Sequence, residues 1–325
     1  MSGDKKKYFA VILILILIFS GLRMALPSLI LYDLNKKAAA TSPFLSFQVE
    51  SATVNLLNGE IHFSHITGKL GPEGKVFAQA DSLHVTIPWS DLFGKDRNML
   101  LLFEGMKLHG TKELAEALSK DGERLKARRR AGHRPILSIS KLEWKNSEIS
   151  LPGHPKLLTN FNAYLLNLNP NEKRPYSDFK ISSNILESSP LKVEGTIRLR
   201  DEPLWWNIDL ELKNFNLVVL REELEQKNGM VIKAGFVDVF AEIRSKHGKT
   251  YGYFKPFLKD LKIKIPHTER NILLRTVLNN SEEKIIAGRV EFTFEKSFDV
   301  KIMEALKTAI EGNVKPGIEG KLNFL

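Results

Sequence analysis

The chain has 325 residues, of which 43% are hydrophobic and 26% are charged, and its formal net charge is +10. This balance excludes a disordered chain and a polytopic membrane protein, and the length corresponds to about two ordinary domains. Cysteine is absent, which excludes disulfide frameworks, thiol nucleophiles and thiolate metal sites.

The N-terminus has the pattern of a membrane anchor. Three lysines, residues 5–7, precede the uncharged run Tyr8–Leu22, and a second apolar stretch follows as far as residue 31. A spanning helix needs roughly 20 apolar residues, and a basic flank favours the cytoplasmic side. We therefore predict a cytoplasmic terminus over residues 1–7 and a transmembrane helix over residues 8–31. The alternatives are a cleaved signal peptide, with Ala38–Ala40 as its cleavage site, and a buried core helix.

Beyond residue 40 apolar and polar residues alternate, which is typical of antiparallel strands with one wet face. After Asn214 this alternation slips by one residue, which predicts a β-bulge or a bend. Turn residues, such as Asn58-Gly59 and Lys145-Asn146-Ser147, separate the runs. The sequence thus predicts a mainly β fold, an extended, curled antiparallel sheet that forms a groove-like meander. The alternating runs are Leu83–Ile87, Leu191–Arg200, Ile208–Lys213, Leu261–Ile265 and Val290–Phe294.

Two segments depart from this alternation and suggest the domain boundaries. Residues 112–134 are predicted as a helical, basic linker between a first β unit, 41–111, and a main β unit, 135–296. Residues 297–325 are predicted as a short C-terminal helix and tail, with one apolar helix face formed by Val300, Met303, Leu306 and Ile310.

The linker concentrates positive charge. Its cations could contact an anionic surface, whereas a solvated loop is the simpler interpretation. No aromatic residue accompanies them for stacking on bases, so nucleic acid is not an expected partner. The candidate contact residues are Lys126, Arg128, Arg129, Arg130 and Arg134.

No motif of a hydrolase, a phosphate loop, a dinucleotide site or a zinc protease occurs in the sequence. His62 and His65 are three residues apart in a predicted strand, so their side chains should lie on opposite faces rather than share a metal. We therefore predict no catalytic residue, no cofactor, no metal and no enzymatic activity.

The order of these features is similar to that of the AsmA-like superfamily of bacterial envelope proteins, in its single-pass branch of unknown function. The most specific stretch is Gly252-Tyr253-Phe254-Lys255-Pro256, near the end of the sheet. The other stretches that carry the resemblance are Phe47–Ile61, Ala80–Ile87, Ile139–Ser150 and Lys233–Ile243.

This resemblance implies a single-pass protein of the bacterial inner membrane, with a cytoplasmic N-terminus and most of the chain in the periplasm. It also implies an apolar concave sheet face like that of bridge-like lipid transfer proteins, and it supplies no catalytic residues. The expected partners are a phospholipid or another envelope lipid, the inner membrane through the anchor, and an envelope protein.

An apolar sheet face must be hidden from water by a second sheet, by helices or by lipid. Because few helical segments are present, we predict that the sheet holds lipid acyl chains and contributes to lipid transport or envelope homeostasis. The alternative is a non-catalytic envelope scaffold with a solid β core. The residues predicted to face the groove are Leu191, Val193, Ile197, Leu199, Ile208, Leu210 and Leu212.

Overall fold

The fold is mainly β, as predicted, and it comprises two compact units, Met1–Glu172 and Lys173–Leu325. It was determined as a computed structural model, in which the described residues are 25–36, 42–71, 74–89, 97–130, 137–168, 176–198, 205–228, 231–246, 249–264, 286–287 and 290–294.

Unit 1 contains seven of the described strands and one long helix, α1 (Lys112–Arg130). Its strands pair in the order β1-β2-β3-β4-β6-β7, and the short β5 pairs with both β3 and β6. Their bounds are β1 Leu45–Asn55, β2 Glu60–Leu70, β3 Val76–Thr86, β4 Arg97–Glu104, β5 Lys107–His109, β6 Leu137–Leu151 and β7 His154–Leu168.

The expectation of a purely antiparallel meander is wrong at one point in unit 1. Strands β4 and β5 run parallel to β6, and α1 forms the crossover that a parallel pair requires. The Thr111 hydroxyl accepts the Leu114 backbone N–H at 3.1 Å and so caps the first turn. The helix ends in the basic sequence Lys126-Ala127-Arg128-Arg129-Arg130. The predicted helix therefore exists, and strands of unit 1 precede and follow it.

Unit 2 is an antiparallel sheet in its described part, with the strand order β8-β9-β10-β11-β12-β13 and β14 also paired with β12. A 3₁₀ helix (Leu217–Leu220) and α2 (Arg221–Asn228) connect β10 to β11. The strand bounds are β8 Ser177–Ile185, β9 Ser189–Arg198, β10 Trp205–Asn216, β11 Val231–Lys246, β12 Lys249–Lys264, β13 Ile286–Ala287 and β14 Val290–Phe294.

Bulges explain where the alternation changes phase. In β10 the register shifts between Leu212 and Phe215, and Asn214 has φ 51°, which confirms the bulge predicted there. Lys145–Ser147 was predicted to be a turn, but these residues lie inside β6, where Asn146 has φ 50° at a second register shift. Asparagine tolerates the left-handed conformation in bulges as well as in turns, so its presence alone did not distinguish the two.

The buried cores are small, and each lies where a helical segment covers a sheet. In unit 1, Leu114 and Ala117 of α1 pack with Leu45 and Phe77. In unit 2, Leu217 of the 3₁₀ helix packs with three strand residues, Ile232, Val237 and Leu258. Unit 1 also buries Val49, Phe63, Ala80 and Ala163 outside its cluster.

The N-terminal segment is helical over residues 25–36. The side-chain amide of Asn35 donates to the Val49 carbonyl at 3.1 Å and accepts the Val49 N–H at 3.0 Å, so it covers the outer edge of β1 at that residue. Across the described ranges, no helix combines the length and apolar character needed to cross a bilayer. Residues 8–24 of the predicted anchor lie outside the described residues, and so does the predicted C-terminal helix and tail, 297–325.

Candidate functional site

The apolar face of unit 2 is a set of side chains that line up across β8 to β12. Leu210 stands opposite Val193 on one side and Ala241 on the other. The row continues to Ile181 on β8 and to Phe254 on β12. We call the following residues the unit 2 apolar face: Phe179, Ile181, Leu191, Val193, Ile197, Trp206, Ile208, Leu210, Leu212, Val239, Ala241, Ile243 and Phe254.

Six of the seven residues predicted to line a groove lie on this face. Leu191 pairs with Leu212, and Val193 pairs with Leu210, while Ile197 stands opposite Trp206 and Ile208 opposite Gly195. The seventh, Leu199, lies outside the described residues. Gly195 also lies on this face, and its missing side chain leaves space for the Phe179 ring. A Cβ at this position would lie 2.7 Å from that ring and 2.3 Å from the Asn207 carbonyl oxygen.

Burial along this face differs between its two ends. Val237 and Leu258 continue the same face under the 3₁₀ helix, and they are only 7% and 3% exposed. Every residue of the unit 2 apolar face, in contrast, is half-buried rather than buried. Side chains packed beneath a second layer are normally closed off like Val237 and Leu258, so these thirteen residues lack such a layer within the described part of the chain.

Unit 1 carries a similar apolar face, which the sequence patterns had indicated only in part, at Leu83–Ile87. Two rows cross six strands, and ten of their twelve residues are half-buried, whereas Phe63 and Ala163 are buried. Within one row, the rings of Phe103 and Trp144 stack with centroids 6.3 Å apart. The rows are Val54–Ile61–Val85–Leu101–Leu142–Leu165 and Ala52–Phe63–Leu83–Phe103–Trp144–Ala163.

The opposite face of unit 2 carries charged side chains that form ion pairs. In unit 2, Lys180 contacts Glu194 at 2.8 Å, and Lys213 contacts Glu211 at 2.6 Å. The Asp238 carboxylate accepts the Asn214 backbone N–H at 2.8 Å and binds the Lys259 ammonium at 2.5 Å. Burial alone would raise the pKa of Asp238, but these two donors outweigh it and hold the pKa below its ordinary value. Asp238 thereby holds the bulge at Asn214 in place.

Unit 1 has a polar cluster that the sequence analysis missed, because its members come from three strands. His62 and His84 stand opposite each other, with ring centroids 4.2 Å apart. Burial lowers the pKa of His62 and the neighbouring His84 lowers it further, against the opposing effect of Glu104. His84 Nε2 lies 3.3 Å from Ser82 Oγ and 3.7 Å from Glu104 Oε2.

This cluster does not have the geometry of a nucleophile relay. In such a relay the base contacts the serine through one ring nitrogen and its orienting carboxylate through the other, whereas here one nitrogen of His84 faces both groups. Within the described ranges, His, Asp and Glu residues form no group of three suited to a metal ion. His65 lies apart from His62 and contacts Glu50 at 3.7 Å.

The structure places four of the predicted anion-contact residues on α1. Lys126, Arg128, Arg129 and Arg130 occupy the last turns of that helix, and Arg134 lies outside the described residues. The N-terminal half of α1 is fixed to the sheet through Leu114 and Ala117. The basic residues therefore extend beyond a firmly packed half-helix.

Trp205 and Trp206 begin β10 and point to opposite faces. Trp206 belongs to the unit 2 apolar face, whereas the Trp205 ring lies on the polar side, 4.8 Å from the Arg198 guanidinium. Tyr176 contacts the same guanidinium at 4.2 Å. These aromatic residues mark the end of the sheet that lies away from the 3₁₀ helix.

No family model matches the chain, and no curated protein matches it either.

Proposed function

We propose that this protein is a membrane-anchored envelope protein whose two apolar sheet faces hold lipid acyl chains, and that it contributes to lipid transport or envelope homeostasis. The observation that carries the proposal is the burial along the unit 2 apolar face. The same side of one sheet is closed under the 3₁₀ helix, at Val237 and Leu258, whereas the thirteen residues of the unit 2 apolar face are only half-buried.

Energetics favours a ligand that is itself apolar. Burial of an aliphatic side chain contributes about 1.5–3 kcal/mol, so thirteen half-buried residues leave a substantial hydrophobic free energy unrealised in water. An acyl chain would complete this burial without requiring hydrogen-bonding partners. No charged side chain belongs to the face, and a charged ligand group would therefore remain unpaired there.

The dimensions of the face also suit an acyl chain. Neighbouring strands lie about 4.8 Å apart, so the row from Ile181 to Phe254, which crosses five strands, is roughly 19 Å long by that spacing. The hydrocarbon core of a bilayer is about 30 Å thick, which corresponds to roughly 15 Å for the chains of one leaflet. One row is therefore long enough to contact most of a single chain.

The anchor is supported by the sequence and by the exposure of the helical segment 25–36. The uncharged run Tyr8–Leu22 follows three lysines, and in the helical segment Leu29 and Tyr32 are 63% and 69% exposed. Apolar side chains that face outward on such a helix are suited to contact lipid. The resemblance to single-pass AsmA-like proteins supports the same topology, with the sheet units in the periplasm.

Photocrosslinking in the full-length protein tests lipid contact directly. A benzophenone amino acid is introduced at Leu210, in the unit 2 apolar face, and separately at Val219 of the 3₁₀ helix, which is 43% exposed. After irradiation in cells we expect lipid adducts at position 210, detected by mass spectrometry of the purified protein, and none at position 219. Absence of lipid at position 210, with adducts only to protein there, would instead support a scaffold with a closed core.

A further inference from the structure

The turn between β1 and β2 presents an apolar side chain to solvent. Leu57 is 77% exposed, more than any other large apolar side chain in the described part of the chain. Trp89, which follows β3, lies beside this turn and is 44% exposed. Exposed apolar groups of this size that cluster together commonly mark an interaction surface.

The turn is held in a fixed conformation. The Trp89 indole N–H donates to the Leu57 carbonyl at 3.0 Å, and the Ile87 N–H donates to the Gly59 carbonyl at 2.9 Å. Gly59 has φ +65°, and a Cβ there would lie only 2.2 Å from the Ile87 carbonyl oxygen. Leu57 is thus exposed on a turn fastened to β3, and not on a frayed loop.

The turn is also continuous with the unit 1 apolar face. Val54, Ile61 and Val85 form one row of that face. Val54 and Ile61 are the paired apolar residues nearest the turn on its two sides, and Val85 is the last paired apolar residue before Ile87. Ile87 and Trp89 follow Val85 at alternate positions of the chain. We call Leu57 and Trp89 the Leu57–Trp89 tip.

We propose that the Leu57–Trp89 tip inserts into the interfacial region of a phospholipid bilayer. Tryptophan favours that region because its ring is apolar and its N–H is polar. Residues Asn55–Gly59 carry no charge, so their entry into lipid desolvates no ion. The inference rests on the proposed function, because the tip would then be the place where the unit 1 apolar face opens to lipid.

The bilayer concerned is a second one, distinct from the membrane that holds the N-terminal segment. The chain enters β1 at Leu45 and reaches the tip after Asn55. The N-terminal helical segment bonds to this strand at Val49 through Asn35, and at about 3.3 Å per residue the stretch from Val49 to Asn55 separates that point from the tip by roughly 20 Å. The tip is therefore displaced from the point where the anchored segment joins the sheet.

Tryptophan quenching by brominated phospholipid tests this contact. The full-length chain is reconstituted in nanodiscs, with Trp144, Trp205 and Trp206 each replaced by Phe so that Trp89 alone reports. Vesicles of phosphatidylcholine, brominated on the acyl chains, are then added. We expect quenching of Trp89 by brominated vesicles and none when the bromine is placed in the nanodisc lipids instead. Quenching only by nanodisc lipids, or by neither, would overturn the proposal.

Co-flotation keeps the test valid if the Phe variants fail to fold. Nanodisc-held protein with all its tryptophans should co-float with added vesicles, and Leu57→Asp should weaken that binding about tenfold or more. The matched control is Leu118→Asp on α1, whose side chain is 53% exposed and which should bind as the parent does. Equal binding by both variants would refute the proposal that the Leu57–Trp89 tip inserts into the bilayer. Lipid crosslinking at position 210 is measured separately, so failure of the tip and failure of the acyl-chain proposal are distinguishable.

Discussion

Two leucines on one side of the unit 2 sheet offer a direct measure of how much of that side is covered. Leu258 lies under the 3₁₀ helix and is 3% exposed, whereas Leu210 is half-buried in the unit 2 apolar face. Replacement of a closed leucine by alanine removes its transfer free energy and leaves a cavity, which together cost about 2–5 kcal/mol. We therefore expect Leu258→Ala to lower the free energy of unfolding by about 3 kcal/mol.

The corresponding loss for Leu210→Ala should be smaller. Its contacts come from cross-strand neighbours such as Val193 and Ala241, and such pairs contribute roughly 0.2–1 kcal/mol each. No cavity closed on all sides is created at a half-buried position, so the expected loss is about 1 kcal/mol in lipid-depleted protein. The two variants should then differ by about 2 kcal/mol.

Urea unfolding of the full-length protein, followed by tryptophan fluorescence, measures this difference. With a urea dependence of about 2 kcal/mol per molar, the two variants should unfold with midpoints roughly 1 M apart. Added phospholipid should stabilise the parent protein more than Leu210→Ala, because only the parent retains the full acyl contact. Equal destabilisation by the two substitutions, with no effect of lipid on either, would show that Leu210 lies in a packed core and would refute the open face.

Three further predictions concern charge. His62→Gln should flatten the decline of stability below pH 6.5 in urea titrations. Because the pKa of His62 is lowered in the folded protein, the unfolded chain binds the proton more readily, so the stability is full above that pH and is lost as the pH falls. An unchanged decline would contradict this, and His65→Gln, whose side chain is 71% exposed, is the control. Asp238→Ala should cost about 1–3 kcal/mol of unfolding free energy at pH 7 and less at pH 3. The reason is that the pKa of Asp238 is lowered in the folded protein, so its stabilising charge is lost as the pH falls below the ordinary pKa of an aspartate. Asp209→Ala on the same polar face should change the urea midpoint little, and equal losses at both pH values would contradict the role of the charge. Replacement of Arg128, Arg129 and Arg130 by Ser should weaken co-flotation of nanodisc-held protein with anionic vesicles and reduce its salt dependence, whereas identical salt profiles would identify the end of α1 as a solvated helix end.

Much of the candidate site followed from local pattern. The sequence placed five apolar residues on one face, because side chains alternate between the faces of any strand regardless of its neighbours. These residues are Leu191, Val193, Ile208, Leu210 and Leu212. The slip at Asn214 was equally visible, since a bulge shifts that alternation at one residue. These features depend on residues close together in the chain.

Other parts of the site depended on which strands became neighbours. The His62–His84 contact joins two strands through their register, and nothing near either histidine in the sequence specifies that register. The parallel pairing of β4 with β6 likewise required knowledge of where α1 returns the chain. Lys145–Ser147 could not be distinguished from a turn, because a bulge and a turn favour the same asparagine conformation.

The sequence by itself determined that the sheets have one apolar side and one charged side, because a two-residue period is a property of the strand alone. Only the tertiary structure decided which part of the apolar side is covered. Leu210 and Leu258 occupy equivalent places in the alternation, yet only Leu258 lies beneath Leu217 of the 3₁₀ helix. Coverage depends on the packing of one element against another, and that packing decides where a lipid chain finds room.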